Sequence, residues 1–265
     1  MPEHSTLLNQ DALLAALGED AQRFTCTVHE SCTSTNSELA KMPWAPDTLH
    51  VLACNTQTEG RGRRGRTWYA QPGQSLIFSL AWCFQAAPHL PAALPLVIGL
   101  ALAKACHALG APKVQVKWPN DLRIGEDKLA GVLIELSQQA TWQRAVIGVG
   151  FNLLPPEAEL NQSATGLFTH LPSPPDRHTV LANLLRSIAH YLDLYARYGF
   201  APLKTEWQTM DAFQDKMVTL SNDSQSHTGH YMGVSDEGAL MLQTSAGLQT
   251  FFAGDLSLRS STCTP

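Results

Sequence analysis

Apolar positions recur along the chain with two different periods, and the change of period divides it. Leu7 to Leu17 carries apolar residues at helical spacing and stops at Gly18, a residue suited to closing a helix. Phe24 to His29 alternates as a strand does. Thr35-Asn36-Ser37-Glu38 has capping-box spacing and predicts a short helix over Ser37 to Met42. Leu49 to Asn55, Ser75 to Trp82, Val114 to Trp118, Leu129 to Leu136 and Ala145 to Val149 read as strands. Leu94 to Leu109 predicts a helix apolar on most sides, and hence buried. Leu153 to Pro175, with its Pro, Ser and Asn, predicts a loop with short turns. Thr179 to Tyr198 and Leu203 to Phe213 predict two further helices.

After Asp215 the period shortens. Met217–Leu220, His230–Val234, Ala239–Gln243, Leu248–Phe252 and Leu256–Arg259 alternate between polar or Gly-containing turns. That is the pattern of a small all-β barrel or sandwich of about 50 residues. The expected division is therefore a domain over 1–214 and a second over 215–265.

Composition narrows the class. With 44% hydrophobic residues in 265, the chain can bury a substantial core, which excludes wholesale disorder. A net charge of -5 argues against a globally basic nucleic-acid binder. The most apolar stretch, Leu90 to Ala103, is broken by Pro91 and Pro95 and falls short of the roughly 18 to 20 residues a membrane span needs. The opening Met-Pro-Glu-His lacks the basic and apolar regions of a secretory signal, so a cytoplasmic location is expected. Six cysteines without Cys-x-x-Cys spacing read as reduced thiols, with no dedicated metal site.

Three segments carry candidate chemistry. Gly60-Arg61-Gly62-Arg63-Arg64-Gly65-Arg66 places four of the eighteen basic residues in seven positions. Glycines free the backbone to wrap an anion, and arginine offers forked donors suited to phosphate and carboxylate. The motif alone leaves open a flexible phosphate-cradling loop, a solvated basic loop and an RNA-binding Arg-Gly patch. Lys117-Trp118-Pro119-Asn120-Asp121 and Lys128-Leu129-Ala130-Gly131 put two lysines around a hairpin tipped by a carboxamide and a carboxylate. By spacing alone this is also an ordinary polar hairpin. Ser34-Thr35-Asn36 by itself reads as a helix cap.

Taken in order, these segments, with Gln57 before the Gly/Arg loop and Gly148-Val149-Gly150-Phe151-Asn152 after it, resemble biotin–protein ligase. The resemblance runs from about Thr27 to Arg259 and includes Leu256-Ser257-Leu258-Arg259. It implies an α/β (α+β) catalytic domain, related to the class II tRNA synthetase fold, followed by an SH3-like β-barrel. It implies ATP and Mg²⁺ as co-substrates, biotin as substrate, and a biotin carboxyl carrier domain of the acetyl-CoA carboxylase type as partner. The reaction would pass through biotinyl-5′-adenylate. Carried over residue by residue, the biotin contacts are Ser34, Thr35, Asn36, Gln57, Gly60, Arg61, Gly62, Arg63 and Lys128. The adenylate contacts are Arg61, Arg63, Arg66, Trp68, Lys117, Asn120 and Asn152. Lys128, Arg63 and Asp121 are the catalytic candidates, with Asp121 either taking the proton of the incoming lysine or orienting its loop. Glu59 departs from the family pattern and could pair with a loop arginine. Only 33 residues precede Ser34, too few for the winged helix of about 60 residues that some members carry, so no DNA binding is expected. A monomer or weak homodimer is expected as well. A lipoate-type ligase of the same fold and a non-enzymatic RNA-binding protein are the alternatives. The Gly/Arg loop argues against the first, and the net charge against the second.

Overall fold

The computed structural model describes residues 7–43, 46, 48–85, 90–157, 162–221, 225–252 and 257–260. The first seven strands are β1 (Phe24–Cys32), β2 (Leu49–Gln57), β3 (Ser75–Gln85), β4 (Val114–Lys117), β5 (Asp121–Ile124), β6 (Asp127–Gln139) and β7 (Trp142–Asn152). They form one sheet in the order β1-β2-β3-β7-β6-β5-β4. β1 and β2 are parallel and every other neighbouring pair is antiparallel. A parallel pair needs a crossover. That connection contains α2 (Thr35–Lys41).

Period-two alternation gives the sheet two unlike faces. Leu76, Phe78, Leu80 and Trp82 of β3 join Ala145, Ile147, Val149 and Phe151 of β7 in the main core. That face is covered by α1 (Gln10–Leu17), α3 (Leu90–Ala108) and α4 (Arg177–Tyr198), with α5 (Ala201–Thr209) following. On the opposite face α2 covers only a small patch, where Leu39 meets Leu52, Ala81 and Val146. The intervening positions there are Ser79 on β3, Gly148 and Gly150 on β7, and Gly131 and Glu135 on β6. The candidate site occupies this incompletely covered face.

Five further strands, β8 (Met217–Ser221), β9 (Ser226–Val234), β10 (Leu240–Thr244), β11 (Gly247–Phe251) and β12 (Ser257–Ser260), form an antiparallel sheet in the order β11-β10-β9-β8-β12. Val218, Leu220, Tyr231, Leu240 and Leu258 belong to the same buried cluster as the first sheet. Backbone bonds reinforce the junction, with Val116 N donating to Met210 O and Ala212 N to Val116 O, both at 2.9 Å. The expected mixed α/β fold is borne out, and the second sheet is consistent with an SH3-like module. No helix among the described residues is long and apolar enough to cross a membrane.

Several expected boundaries move. The helix expected at Ser37 begins at Thr35. Its cap is Ser34, whose hydroxyl accepts from Ser37 N at 3.5 Å, while Glu38 reaches back to Thr33 N at 3.2 Å. Thr35 and Asn36 thus stand on the first turn and are buried. The single hairpin expected between Val114 and Leu136 is a three-strand meander, because Asp121–Ile124 alternates and pairs on both edges. β3, β6 and β7 run three or more residues beyond the expected strands, since their ladder pairing continues to Gln85, Gln139 and Trp142. α5 ends at Thr209 rather than Phe213, and the next residues instead pair with Val116. The loop expected from Leu153 holds a short 3₁₀ turn at Leu167–His170, and its residues 158–161 lie outside the described ones. Leu256 of the last expected strand also lies outside them.

Candidate active site

Above the glycines of β6 and β7 lies a cavity of about 670 Å³. At one end α2 supplies Ser34, Thr35 and Asn36, and the end of β2 supplies Gln57. Gln57 Oε1 accepts from Thr35 N at 2.8 Å, tying the first turn of the helix to the strand. The side wall is the loop after β2. Gly62 N donates to Arg66 O at 2.7 Å and Trp68 N to Gly60 O at 2.9 Å, so the loop closes on itself as a hairpin. Arg64 and Gly65 take positive φ at its tip, 60° and 67°. Arg61, Gly62, Arg63, Arg66 and Trp68 line the cavity. Gly60 does not. It stands at the loop's base, where a Cβ would lie 2.5 Å from Trp68 O and 2.8 Å from Gln57 Nε2.

The far wall comes from the meander. Lys117 ends β4, Asn120 occupies the turn, Asp121 starts β5, and Lys128 sits near the start of β6. Asn152 closes the row at the end of β7. Lys128 Nζ is 2.7 Å from Asp121 Oδ1 and lies over the Trp68 ring, 5.5 Å from its centroid. Arg63 Nη1 donates to Asn120 Oδ1 at 2.8 Å, and Asn120 Nδ2 to Val132 O at 2.8 Å, so the loop bridges to the meander. Of the catalytic, biotin-binding and adenylate-binding candidates carried over from the resemblance, all but Gly60 meet in this one cavity.

The charge is one-sided. Among the described residues, seven cationic side chains line the cavity (Arg61, Arg63, Arg64, Arg66, Lys117, Lys128, Arg259) against one carboxylate, Asp121. Burial holds the Lys117 ammonium below the ordinary lysine range, opposed by Asp121 and reinforced by Arg123, Lys128 and Arg259. A chain with net charge -5 that gathers its cations here is built to receive a multiply charged anion. The Ser34–Gln57 end is polar and largely neutral, suited to hydrogen-bonding an uncharged head group.

The floor depends on missing side chains. A Cβ at Gly150 would lie 2.1 Å from Trp68 Cε2, and one at Gly148 would lie 2.3 Å from Asn36 Oδ1. Trp68 therefore lies flat on β7, with its indole Nε1 buried and unpartnered among the described residues. Sequence reasoning missed the parts that act from behind. Glu135 accepts from Asn36 Nδ2 at 2.8 Å and pairs with Arg61 at 3.1 Å. Ser79 lies buried between Thr35 and Asn36. The phase of β3 and β6 puts both on the same face as the glycines, but only tertiary pairing sets them beside Asn36. Leu258 and Arg259 reach the cavity from the second sheet.

The chain is 33% identical over 263 residues to the bifunctional ligase/repressor BirA of Escherichia coli K12, covering 98% of this chain and 81% of that one. It is 32% identical over 236 residues to biotin--[acetyl-CoA-carboxylase] ligase of Paracoccus denitrificans, covering 84% of this chain and 96% of the relative. The chain belongs to the biotin/lipoate A/B protein ligase family. The model of that family matches residues 28–152, which span the sheet and nearly all of the cavity wall. The architecture of this ligase agrees with solved family members. Biotin protein ligase from Aquifex aeolicus in complex with biotin and ATP superposes with a TM-score of 0.75 at 28% identity, covering 89% of this chain and 99% of that one. The resemblance carried by the Gly/Arg loop and Lys117-Trp118-Pro119-Asn120-Asp121 is thereby borne out, and the protein is a ligase.

Proposed function

We propose that the protein joins biotin to one lysine of a biotin carboxyl carrier domain, of the acetyl-CoA carboxylase type, in the cytoplasm. The observation that carries this reading is the cavity's division into a neutral hydrogen-bonding end and a cationic end. Biotin has the matching division, with an uncharged ureido ring at one end and a carboxylate at the other. In the first step a carboxylate oxygen attacks the α-phosphorus of ATP and pyrophosphate leaves, forming biotinyl-5′-adenylate. In the second a lysine amine attacks the acyl carbon, AMP leaves, and an amide forms as the amine loses its proton.

Two anions must meet in the first step, and preorganised cations lower that barrier. We assign this work to Lys128, Arg61 and Arg63. Ser34, Thr35, Asn36 and Gln57 take the ureido ring. Trp68, Arg66, Lys117, Asn120 and Asn152 hold the nucleotide. Asp121 is engaged with Lys128, which supports an orienting role for it. No group of three His, Cys, Asp or Glu side chains gathers to hold a metal among the described residues. Asn120 Oδ1 and Asp121 are oxygen donors at the cationic end of the cavity, and Mg²⁺ would enter on the triphosphate and neutralise part of its charge.

The test is incubation with biotin, ATP and a purified carrier domain. A mass gain of one biotinyl group on a single carrier lysine is expected. An unmodified carrier, or a lipoyl gain when lipoate is supplied, overturns the reading.

A further inference from the structure

We propose that Glu135, standing behind the cavity wall, sets the direction of hydrogen bonding inside it and thereby selects a ligand head group that donates. This rests on the biotin reading above and adds a specificity-determining residue to it.

The carboxamide of Asn36 has two ends of nearly equal shape, one donating and one accepting, so only its neighbours can fix it. Asn36 Nδ2 lies 2.8 Å from Glu135 Oε2 and 3.4 Å from Leu133 O. A carboxylate and a main-chain carbonyl accept only, so the amide nitrogen must face them. Asn36 Oδ1 then faces Ser79 Oγ at 2.6 Å, and Ser79 must donate. A hydroxyl has one proton. Ser79 Oγ is also 2.7 Å from Thr35 Oγ1, so its proton is shared between two acceptors. Thr35 Oγ1 donates its own proton to Gln57 Oε1 at 3.3 Å, beside the bond from Thr35 N. The relay thus runs from Ser79 to Asn36 and on to Glu135, and from Ser79 to Thr35 and on to Gln57, with each proton already committed within the protein.

What remains for a ligand are lone pairs on Thr35 Oγ1 and Asn36 Oδ1. Thr35, Asn36 and Ser79 are buried, so a ligand that supplies no donor leaves those oxygens unsatisfied at a substantial cost. The two ureido N–H groups of biotin match them. A dithiolane ring such as lipoate's has no N–H and does not. Glu135 touches no reacting atom and acts through Asn36, so it is a positioning residue.

The experiment is biotin-dependent ATP–pyrophosphate exchange, with KM and kcat measured for wild type, Glu135→Met, Glu135→Gln and Ser79→Ala. Removing the acceptor in Glu135→Met lets Asn36 turn, and the KM for biotin should rise about tenfold. In Ser79→Ala, which leaves the Arg61–Glu135 pair intact, the kcat and the KM for ATP should stay within about twofold of wild type. Glu135→Gln still accepts from Asn36 through its amide oxygen and should stay within about threefold in KM. Ser79→Ala breaks the relay elsewhere and should match Glu135→Met; combined with it, the rise should be less than the product of the two. An unchanged biotin KM in Glu135→Met overturns the proposal. Equal damage in Glu135→Gln and Glu135→Met overturns it too, because the pairing with Arg61 would then be what matters. If Glu135→Met does not fold, Ser79→Ala decides alone, and an unchanged KM there overturns the relay. Failure of the underlying reading looks different, since the wild type itself would then show no biotin-dependent exchange.

Discussion

Lys128 Nζ and Asp121 Oδ1 face each other at 2.7 Å across the β5–β6 pair, both largely sheltered from solvent. The Trp68 ring lies on the other side of the ammonium. The lysine is thus held in place before any ligand arrives, as a group stabilising developing negative charge should be. Lys128→Ala should slow biotin-dependent pyrophosphate exchange on the order of a hundredfold, equivalent to about 3 kcal/mol. Asp121→Asn keeps a hydrogen-bonding oxygen beside the ammonium and should lose less in the same assay. A Lys128→Ala enzyme near the wild-type rate would show the role misassigned.

The glycine floor makes a graded prediction. Gly150→Ala drives a methyl into the Trp68 ring, with 2.1 Å between centres, and the ring must leave the floor. Binding of biotinyl-adenylate, measured by calorimetry, should weaken at least about tenfold. Gly131→Ala meets Trp68 and the flexible end of Lys128 at 3.2 Å and should be milder. Gly148→Ala collides with Asn36 Oδ1 and should act on biotin rather than nucleotide. Equal effects at positions 131 and 150 would contradict this ordering.

Arg63 ties the loop to the meander through Asn120. An acyl-adenylate acylates any amine or water that reaches it, so a loop that holds the cavity shut protects the intermediate. Arg63→Gly should release biotinyl-adenylate faster while leaving its formation comparatively intact. Serum albumin added as a bystander should then gain biotin that it does not gain from the wild-type enzyme. Bystander labelling at the wild-type level, with exchange intact, would remove the lid role from Arg63.

Lys117 carries a pH prediction. Burial lowers its pKa, so its ammonium loses its proton at a lower pH than an ordinary lysine would. A triphosphate beside it favours the protonated form. ATP affinity should therefore be full below the lowered pKa and decline as pH rises through it. Titration of ATP across the alkaline range should show this decline in wild type and a flatter profile in Lys117→Met. Parallel profiles would place the titrating group elsewhere.

Much of this site was legible because its chemistry sits in short contiguous runs. Ser34-Thr35-Asn36, the Gly/Arg loop, and Lys117 to Asp121 each announce themselves without the fold. The residues that govern them from behind do not. Ser79 sits in an apolar strand, and Glu135 reads as an ordinary end of an apolar run; only strand pairing puts both beside Asn36. The strand Asp121–Ile124 was invisible for a related reason, being four residues whose partners on both edges are set by tertiary pairing. The capping register slipped by one because Ser34 and Thr35 are both acceptable caps, and burial of Thr35 against Gln57 decides between them.

The central claim is that the cavity activates biotin with ATP, and pyrophosphate exchange tests it without any carrier. With purified protein, ATP, Mg²⁺ and labelled pyrophosphate, label should enter ATP when biotin is present. It should stay at background with lipoate or with no acid added. Exchange driven by lipoate, or no exchange with biotin, would contradict the account.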